Sequence, residues 1–351
     1  MLKLADVRQI QIELTTRCNA RCPMCMRNYR GVDYNSGYPL CELSLSDFKK
    51  ILTPDILAGI MRSDPPVNGR VPINYNFQGI TFNGNLGDFS NAKDGAEIVE
   101  YLTEHGVRVH INTNGSTRTP DWWARLARPG VSIGFALDGL ADTHHLHRQD
   151  TDWYKIIANA EAFIAAGGRA VWRFVPFDHN RDQEDACKKL SRVMGFAKFE
   201  NIYDGRDRTA VFNRDGEFSH HVGKSFEPNG HIPNVQSMIE NHLTWYDPKT
   251  FRSEKDSATL NLRCTHKLNR EIYIAADGSV YPCCYLGFYP KTMFHQGNQE
   301  LAPMVKQNNA LEYPLAHCLE WFESVEQSWD KASIREGRTY QCVTTCNRNT
   351  T

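Results

Sequence analysis

The sequence predicts an α/β fold, a partial (β/α)6 barrel of the TIM type followed by a small cysteine-rich α+β unit at the carboxyl end. Three observations lead there. Short β-like runs alternate with helical ones through the first two-thirds of the 351 residues, and a β-then-α succession makes parallel strands with right-handed crossovers. About six such units fit before residue 205, where a closed barrel needs eight. Six of the eleven cysteines then fall after residue 260, a shift in composition that marks a second unit.

QIQIEL (9–14) alternates apolar and polar residues with the period of a strand. SLSDFKKIL (44–52) is a capped helix. INYNFQGITF (73–82) is strand-like, AEIVEYLTEHG (96–106) is a helix ending at Gly106, and VRVHINTNG (107–115) is the next strand. DWWARLAR (121–128) is helical, VSIGFALDG (131–139) is extended, and WYKIIANAEAFIAAGG (153–168) is a helix closing on two glycines. RAVWRFVPF (169–177) and DQEDACKKLSRVMGF (182–196) supply a further strand and helix. From 203 to about 258 the pattern turns polar and irregular, with one helical stretch near VQSMIENHL. The boundaries drawn are 8–205 for the barrel, 206–257 for a connector or lid, and 258–351 for the cysteine-rich unit.

With 41% hydrophobic and 11% aromatic residues the chain can bury a large core. Forty basic against forty-one acidic residues leave a net charge of −1, so no overall field draws it to nucleic acid or to an anionic membrane. The start, MLKLADVRQIQIEL, lacks a signal peptide's apolar core, and no run reaches membrane-spanning length. A cytoplasmic protein is expected. An odd number of thiols, kept reduced there, serves metal binding or chemistry rather than a disulfide framework.

TTRCNARCPMCMRN (15–28) places Cys18, Cys22 and Cys25 within eight residues. Structural zinc wants four protein ligands, and this spacing supplies three. A cubane iron–sulfur cluster has four irons, each taking one outer ligand, so three thiolates leave one corner open. The alternative is a zinc knuckle that borrows a distant fourth ligand. The segment, set just after the first strand, resembles the signature loop of the radical S-adenosylmethionine (radical SAM) enzymes. That resemblance implies a [4Fe–4S] cluster on Cys18, Cys22 and Cys25 whose open iron is chelated by SAM. It also implies reductive cleavage of the sulfonium and a 5′-deoxyadenosyl radical that abstracts a substrate hydrogen. Met24 matches the family's apolar position beside the adenine.

Further stretches resemble the rest of the family's SAM site. TFNGNLGDF (81–89) is similar to the "GGEP" motif that receives the SAM ammonium: Gly87 and Asp88 match its second Gly and its Glu, while Leu86 and Phe89 replace the first Gly and the Pro. Asn83 opens the same turn. NTNG (112–115), with Asn112 and Asn114, resembles the "TNG" stretch on the nucleoside side. FALDG (135–139) resembles the "SxDG" strand end, with Ala136 in place of Ser and Asp138 as the pocket candidate. DTHHLHRQ (142–149) is like the "HDxxR" run, which makes Arg148 the partner of the SAM carboxylate through its planar fork. Arg173 is a further pocket candidate, with a structural ion pair as its other reading. All these sit at the carboxyl ends of successive strands, where such folds build sites.

REIYIAADGSVYPC (270–283) is a β-hairpin with an Asp-Gly turn. Thirteen residues separate Cys264 from Gly278, and four separate Gly278 from Cys283. The pattern resembles the opening of the SPASM and Twitch extensions of radical SAM enzymes, and so implies one auxiliary [4Fe–4S] cluster, of Twitch type, on Cys264, Cys283, Cys342 and Cys346. Cys284 and Cys318 are left over, and a zinc ribbon from the same four thiolates is the alternative. Cys187 reads as core filler and Cys41 as a bystander. The pairs His144/His145 and His220/His221 lack the helical spacing of metal ligands.

The resemblance implies net oxidation or modification of a small molecule or a peptide, with an electron donor such as flavodoxin or ferredoxin. Relatives of this build act on cyclitols, sulfatases or ribosomally made peptides. Only 17 residues precede Cys18 and five follow Cys346, which favours a small molecule or a peptide delivered by a partner. The rival from another class is a non-catalytic metal-binding module.

Overall fold

Six short strands, β1 (Gln9–Ile12), β2 (Gly79–Phe82), β3 (Val109–Thr113), β4 (Val131–Ala136), β5 (Arg169–Phe174) and β6 (Lys198–Asn201), pair parallel, each with the next in the chain. This computed structural model describes residues 2–25, 27–28, 30–32, 39–62, 78–202, 209–223, 262, 264–288, 301–333 and 336–346. An order that never reverses is the winding of a barrel, since a doubly wound sheet switches direction midway. Six strands leave the barrel partial.

Helices α1 (Leu45–Ile51), α2 (Pro54–Ile60), α3 (Gly95–Glu104), α4 (Pro120–Arg125), α5 (His144–His147), α6 (Trp153–Ala165) and α7 (Glu184–Val193) lie on the connections. Ser44 starts α1 as predicted: its hydroxyl accepts the Asp47 N–H while Asp47 accepts the Ser44 N–H, a reciprocal cap.

The register explains the alternation read from the strands. Ile12, Phe82, Ile111, Ile133 and Ala170 stand side by side and join the hydrophobic core. Each such buried Ile or Phe contributes about 1.5–3 kcal/mol. The alternate row runs Gln11, Thr81, His110, Ser132 and Arg169; residues two further on, Asn83, Asn112 and Gly134, and Arg173 four beyond Arg169, line the lumen cavity. One face of the sheet is an apolar core and the other a polar lumen.

The carboxyl-terminal hairpin, β9 (Glu271–Ile274) and β10 (Val280–Tyr281), does not form a sheet of its own. β9 pairs parallel with β1, and the sheet grows to eight strands in the order β10-β9-β1-β2-β3-β4-β5-β6. A partial barrel leaves β1 with an open edge of unpaired backbone groups, and β9 covers it. Gly278 turns the hairpin at φ +84°, where a Cβ would stand 2.7 Å from Asn309 Oδ1.

Within the predicted connector, β7 (Thr209–Phe212) and β8 (Phe218–Val222) form an antiparallel hairpin around Asn213–Glu217. It docks on the barrel's upper rim, where the Phe212 N–H donates to the Arg30 carbonyl at 2.9 Å and His220 Nε2 donates to the Leu146 carbonyl at 2.9 Å. The helical stretch read near VQSMIENHL, and residues 73–77 of the second strand, lie outside the described residues. Helices α8 (Thr265–Asn269), α9 (Phe322–Ser328) and α10 (Tyr340–Cys346) complete the carboxyl end. Among the described residues no helix is long and apolar enough to cross a membrane.

Candidate active site

A cavity of about 410 Å³ opens at the carboxyl ends of the barrel strands. The loop after β1 brings Cys18, Cys22, Met24 and Cys25 to it, the loop after β2 brings Asn83, Gly87 and Asp88, and β3 with its loop brings Asn112 and Asn114. Arg148 follows α5, and Arg173 lies on β5. Of the barrel residues assigned in the sequence to the cluster and the SAM site, Asp138 alone is not on its lining.

Two of the thiols, Cys18 and Cys22, sit in a setting that disfavours their charged form without a cation. Burial, and then the charge of Asp88, pushes the Cys18 thiol far up. Burial pushes Cys22 up to about 11 against the pull of Arg148. Donors nevertheless point at both sulfurs: Asn114 Nδ2 donates to Cys18 Sγ at 3.7 Å and Arg148 Nη1 to Cys22 Sγ at 3.8 Å. Thiols that are buried, costly to ionise alone and approached by N–H donors fit thiolates on a metal cluster. Among the described residues no three His, Cys, Asp or Glu side chains converge closely enough to hold a single metal ion. A cubane makes no such demand, because it takes its thiolates one per iron at separate corners.

Asp138 acts from behind. Fully buried, it accepts Arg148 Nε at 2.6 Å, His147 Nδ1 at 2.8 Å and the Val175 N–H at 2.8 Å. Burial alone would raise its carboxyl, but Arg148 and His147 outweigh that and hold it well below the ordinary carboxylate range. The expectation that Asp138 faces the pocket is therefore corrected. Its carboxylate lies under Arg148 instead, and His147 takes a place on the cavity wall.

Asp88 reaches the cavity, but its oxygens are already engaged. Oδ1 accepts the Ser90 N–H at 3.0 Å, the Ser90 hydroxyl at 2.7 Å and the Thr113 hydroxyl at 2.8 Å, and Oδ2 accepts the Asn114 N–H at 2.7 Å. It clamps the β2 loop to the end of β3. Arg173 lines the cavity and also pairs with Asn112 Oδ1 and with Glu200 Oε2, the latter at 3.4 Å. Gly134 makes room for that pairing, since a Cβ there would stand 2.6 Å from Arg173 Cδ.

Glu13 escaped the sequence reading. Its Oε1 accepts the N–H groups of Leu86 and Gly87 at 2.5 and 2.8 Å, shaping the turn that carries Gly87 and Asp88. Glu13 could have been flagged only as the lone acid in QIQIEL. Of the histidine pairs, His144 is a structural residue: buried, its imidazole is pushed down to about 3, and it accepts the Asp138 N–H at Nδ1 (3.2 Å) while donating from Nε2 to Thr151 at 3.1 Å.

A second, smaller cavity of about 50 Å³ lies at the carboxyl end. Cys264, Cys283, Cys342 and Cys346 all line it, with Leu286, Phe322, Val325 and Trp329 among their neighbours. Cys342 and Cys346 are one helical turn apart on α10, which puts both on one face. Burial pushes Cys264 and Cys283 up. Cys284 and Cys318 are not on this wall. Cys318 is packed in the core with its Sγ 3.7 Å from the Tyr313 carbonyl, and Cys187 is likewise buried.

A profile of the Radical SAM superfamily matches residues 12–190. Fe-coproporphyrin III synthase of Methanosarcina barkeri is 29% identical over 136 residues, which are 38% of this chain and 28% of that protein. Among solved structures, Streptococcus suis SuiB bound to S-adenosylmethionine is similar with a TM-score of 0.53 at 14% identity, over 89% of this chain and 65% of SuiB. Native anSMEcpe with bound AdoMet and Cp18Cys peptide has a TM-score of 0.50 at 15% identity, over 96% of this chain and 85% of that one. The chain thus spans less than two-thirds of SuiB and the match about a quarter of the curated relative. At these identities the structural likeness concerns the fold.

Proposed function

The chain belongs to the radical SAM superfamily, whose members use a [4Fe–4S] cluster and SAM, and from that premise we propose that its barrel cavity is the site where SAM is cleaved and a substrate hydrogen is taken. The observation that carries this reading is one cavity wall holding three thiols beside Arg148 and the Gly87 turn. Cys18, Cys22 and Cys25 would hold the cluster. What cluster and SAM supply when bound is one-electron reduction of the sulfonium and a 5′-deoxyadenosyl radical that abstracts hydrogen.

The protein's own part is binding and orientation. Arg148, held flat by Asp138, presents its remaining donors to a carboxylate. The backbone of the Asn83–Gly87 turn, with Asp88 behind it, forms an acceptor edge for an ammonium. Met24, Val175 and Ile202 add apolar wall for a nucleoside, and Asn112, Asn114 and Arg173 add polar contacts around it. The rest of the polar lumen is left for the substrate, a small molecule or a peptide. The named relatives bracket that range, from a porphyrin synthase to structures holding peptides.

At the carboxyl end we assign one auxiliary [4Fe–4S] cluster to Cys264, Cys283, Cys342 and Cys346, with a flavodoxin or ferredoxin as the external electron donor. Four thiols around a small, mainly apolar cavity fit such a group. Anaerobic reconstitution with iron and sulfide, followed by dithionite and SAM, tests both assignments. About eight irons per chain and formation of 5′-deoxyadenosine are expected. Stoichiometric zinc with no SAM turnover would instead make the chain a metal-binding module.

A further inference from the structure

We infer that Glu13 is the positioning residue of the Asn83–Asp88 turn and couples SAM binding in the barrel to the carboxyl-terminal cysteine cavity. The inference rests on the barrel cavity being the SAM site. Glu13 follows β1 directly and is 2% exposed. While its Oε1 takes the N–H groups of Leu86 and Gly87, its Oε2 accepts the hydroxyl of Tyr273 at 3.1 Å. Tyr273 is 1% exposed and lies on β9, the strand of the cysteine-rich unit that covers β1.

Planarity turns this contact into a statement about the cavity edge. In a trans peptide the N–H and the preceding carbonyl point in opposite directions. With the N–H groups of Leu86 and Gly87 turned toward Glu13, the carbonyls of Asn85 and Leu86 turn away from it, and the second of these accepts Arg27 Nη1 at 2.9 Å. Glu13 on one side and Arg27 on the other therefore set which way the turn's dipoles face. The turn has little freedom to find another pose, because a Cβ on Gly87 would stand 1.7 Å from the Thr15 carbonyl oxygen.

A second bridge runs beside the first. Asn85 Nδ2 donates to the Cys284 carbonyl at 2.7 Å, and Asn85 lines the barrel cavity while the preceding residue, Cys283, lines the cysteine cavity. Two hydrogen-bonded links thus join the hairpin to the turn, one through Tyr273 and Glu13 and one through Cys284 and Asn85. Whatever orders the hairpin orders the acceptor edge, and by thermodynamic reciprocity a ligand on that edge stiffens the hairpin.

Tyr273→Phe removes one hydroxyl and keeps the ring packing. In the reconstituted full-length chain it is expected to raise the SAM dissociation constant about three- to tenfold and to speed hydrogen exchange at the Leu86 and Gly87 amides. Iron per chain should stay at the wild-type value. Glu13→Gln, which keeps one acceptor oxygen, should weaken SAM further. Cys342→Ala, which disturbs the cysteine cavity, should weaken SAM in the wild-type background and add less in the Tyr273→Phe background. Wild-type affinity and unchanged exchange of both amides in Tyr273→Phe would overturn the coupling. A wild-type chain that binds no SAM would overturn the cavity assignment instead, and the two amides would still decide whether Glu13 and Tyr273 position the turn.

Discussion

The two cysteine sites of this chain use the same side chain to opposite ends. Near the amino end three thiols share one wall of a cavity of about 410 Å³ with arginine, asparagine and aspartate side chains. Near the carboxyl end four thiols line a cavity of about 50 Å³ with Leu286, Phe322, Val325 and Trp329, and with His266, Lys267, Glu271 and Glu326. Three ligands in a roomy polar cavity leave a place for an exchangeable ligand, which is what a reaction needs. Four thiols around a tight cavity would, as the ligands of the proposed auxiliary cluster, leave none, which suits a centre that stores or passes an electron.

The comparison is broken most severely by deleting one ligand from each site. Cys22→Ala should reduce 5′-deoxyadenosine formation to background. Cys264→Ala should bring the iron down to about four per chain and still cleave SAM, with weaker binding. Equal loss of SAM cleavage in both variants would erase the proposed division of labour, and iron analysis beside product quantification reads it directly.

The next largest effect concerns the charge held under the open site. Arg148→Met leaves Asp138, fully buried, with the His147 imidazole as its nearest remaining side-chain partner. Removing one partner of a buried pair costs about 3 kcal/mol or more, to be read as a lower urea midpoint. Because Asp138's folded pKa is depressed, its contribution to wild-type stability is present above the unfolded carboxylate value of about 3.9 and is lost as pH falls below it. In the variant the carboxyl rises toward or past the unfolded value, so this acid-induced loss should shrink or reverse. SAM binding should fall at least about tenfold.

How far this contrast was legible in the sequence depends on the reach of each interaction. The CX3CX2C loop, the i, i+4 pair Cys342 and Cys346 on α10, and the alternation in QIQIEL are local patterns, and the thiols and strand faces follow from them. Asp138 was read as a pocket residue because a strand-end motif locates a residue along the chain but does not tell that His147 and Arg148 will claim its carboxylate. Glu13 was missed because its partners Leu86, Gly87 and Tyr273 lie 73, 74 and 260 positions away. The parallel pairing of β9 with β1 was missed for the same reason, since it joins Gln9 to Glu271. The β7–β8 hairpin had a local sign, the Asp215-Gly216 turn, but its flanking strands are only four and five residues long.

A milder test uses acidity. His144 has its folded value pushed down to about 3 from 6.5, and His179 to about 4, chiefly by burial. Between those values and 6.5 the unfolded chain binds more protons than the folded one, so stability is full above pH 6.5 and declines as the pH falls through that window. His144→Gln should flatten part of the decline, seen as a smaller difference between urea midpoints at pH 7 and pH 5. An equally steep decline would mean that the imidazole contributes nothing to it. Since His144 supports Asp138, the effect should appear in the barrel's hydrogen exchange and not in the hairpin's.

The smallest expected change falls on the cysteine next to the closed site. Cys284 adjoins Cys283, and burial pushes its thiol up to about 12, yet it is absent from the wall where the other four meet. Asn85 holds its backbone carbonyl, which a side-chain exchange leaves in place, and its thiol meets the Gln11 side chain on β1, a donor that a serine hydroxyl can also accept. Cys284→Ser should therefore keep about eight irons per chain and a wild-type SAM dissociation constant. A fall to about four irons would put Cys284 among the ligands and displace one of the four proposed. Cys318→Ser should likewise keep its iron, but it buries a hydroxyl in a core position that is 0% exposed and should lower stability by about 1–2 kcal/mol. The pair of variants separates a thiol that binds metal from one that merely fills space.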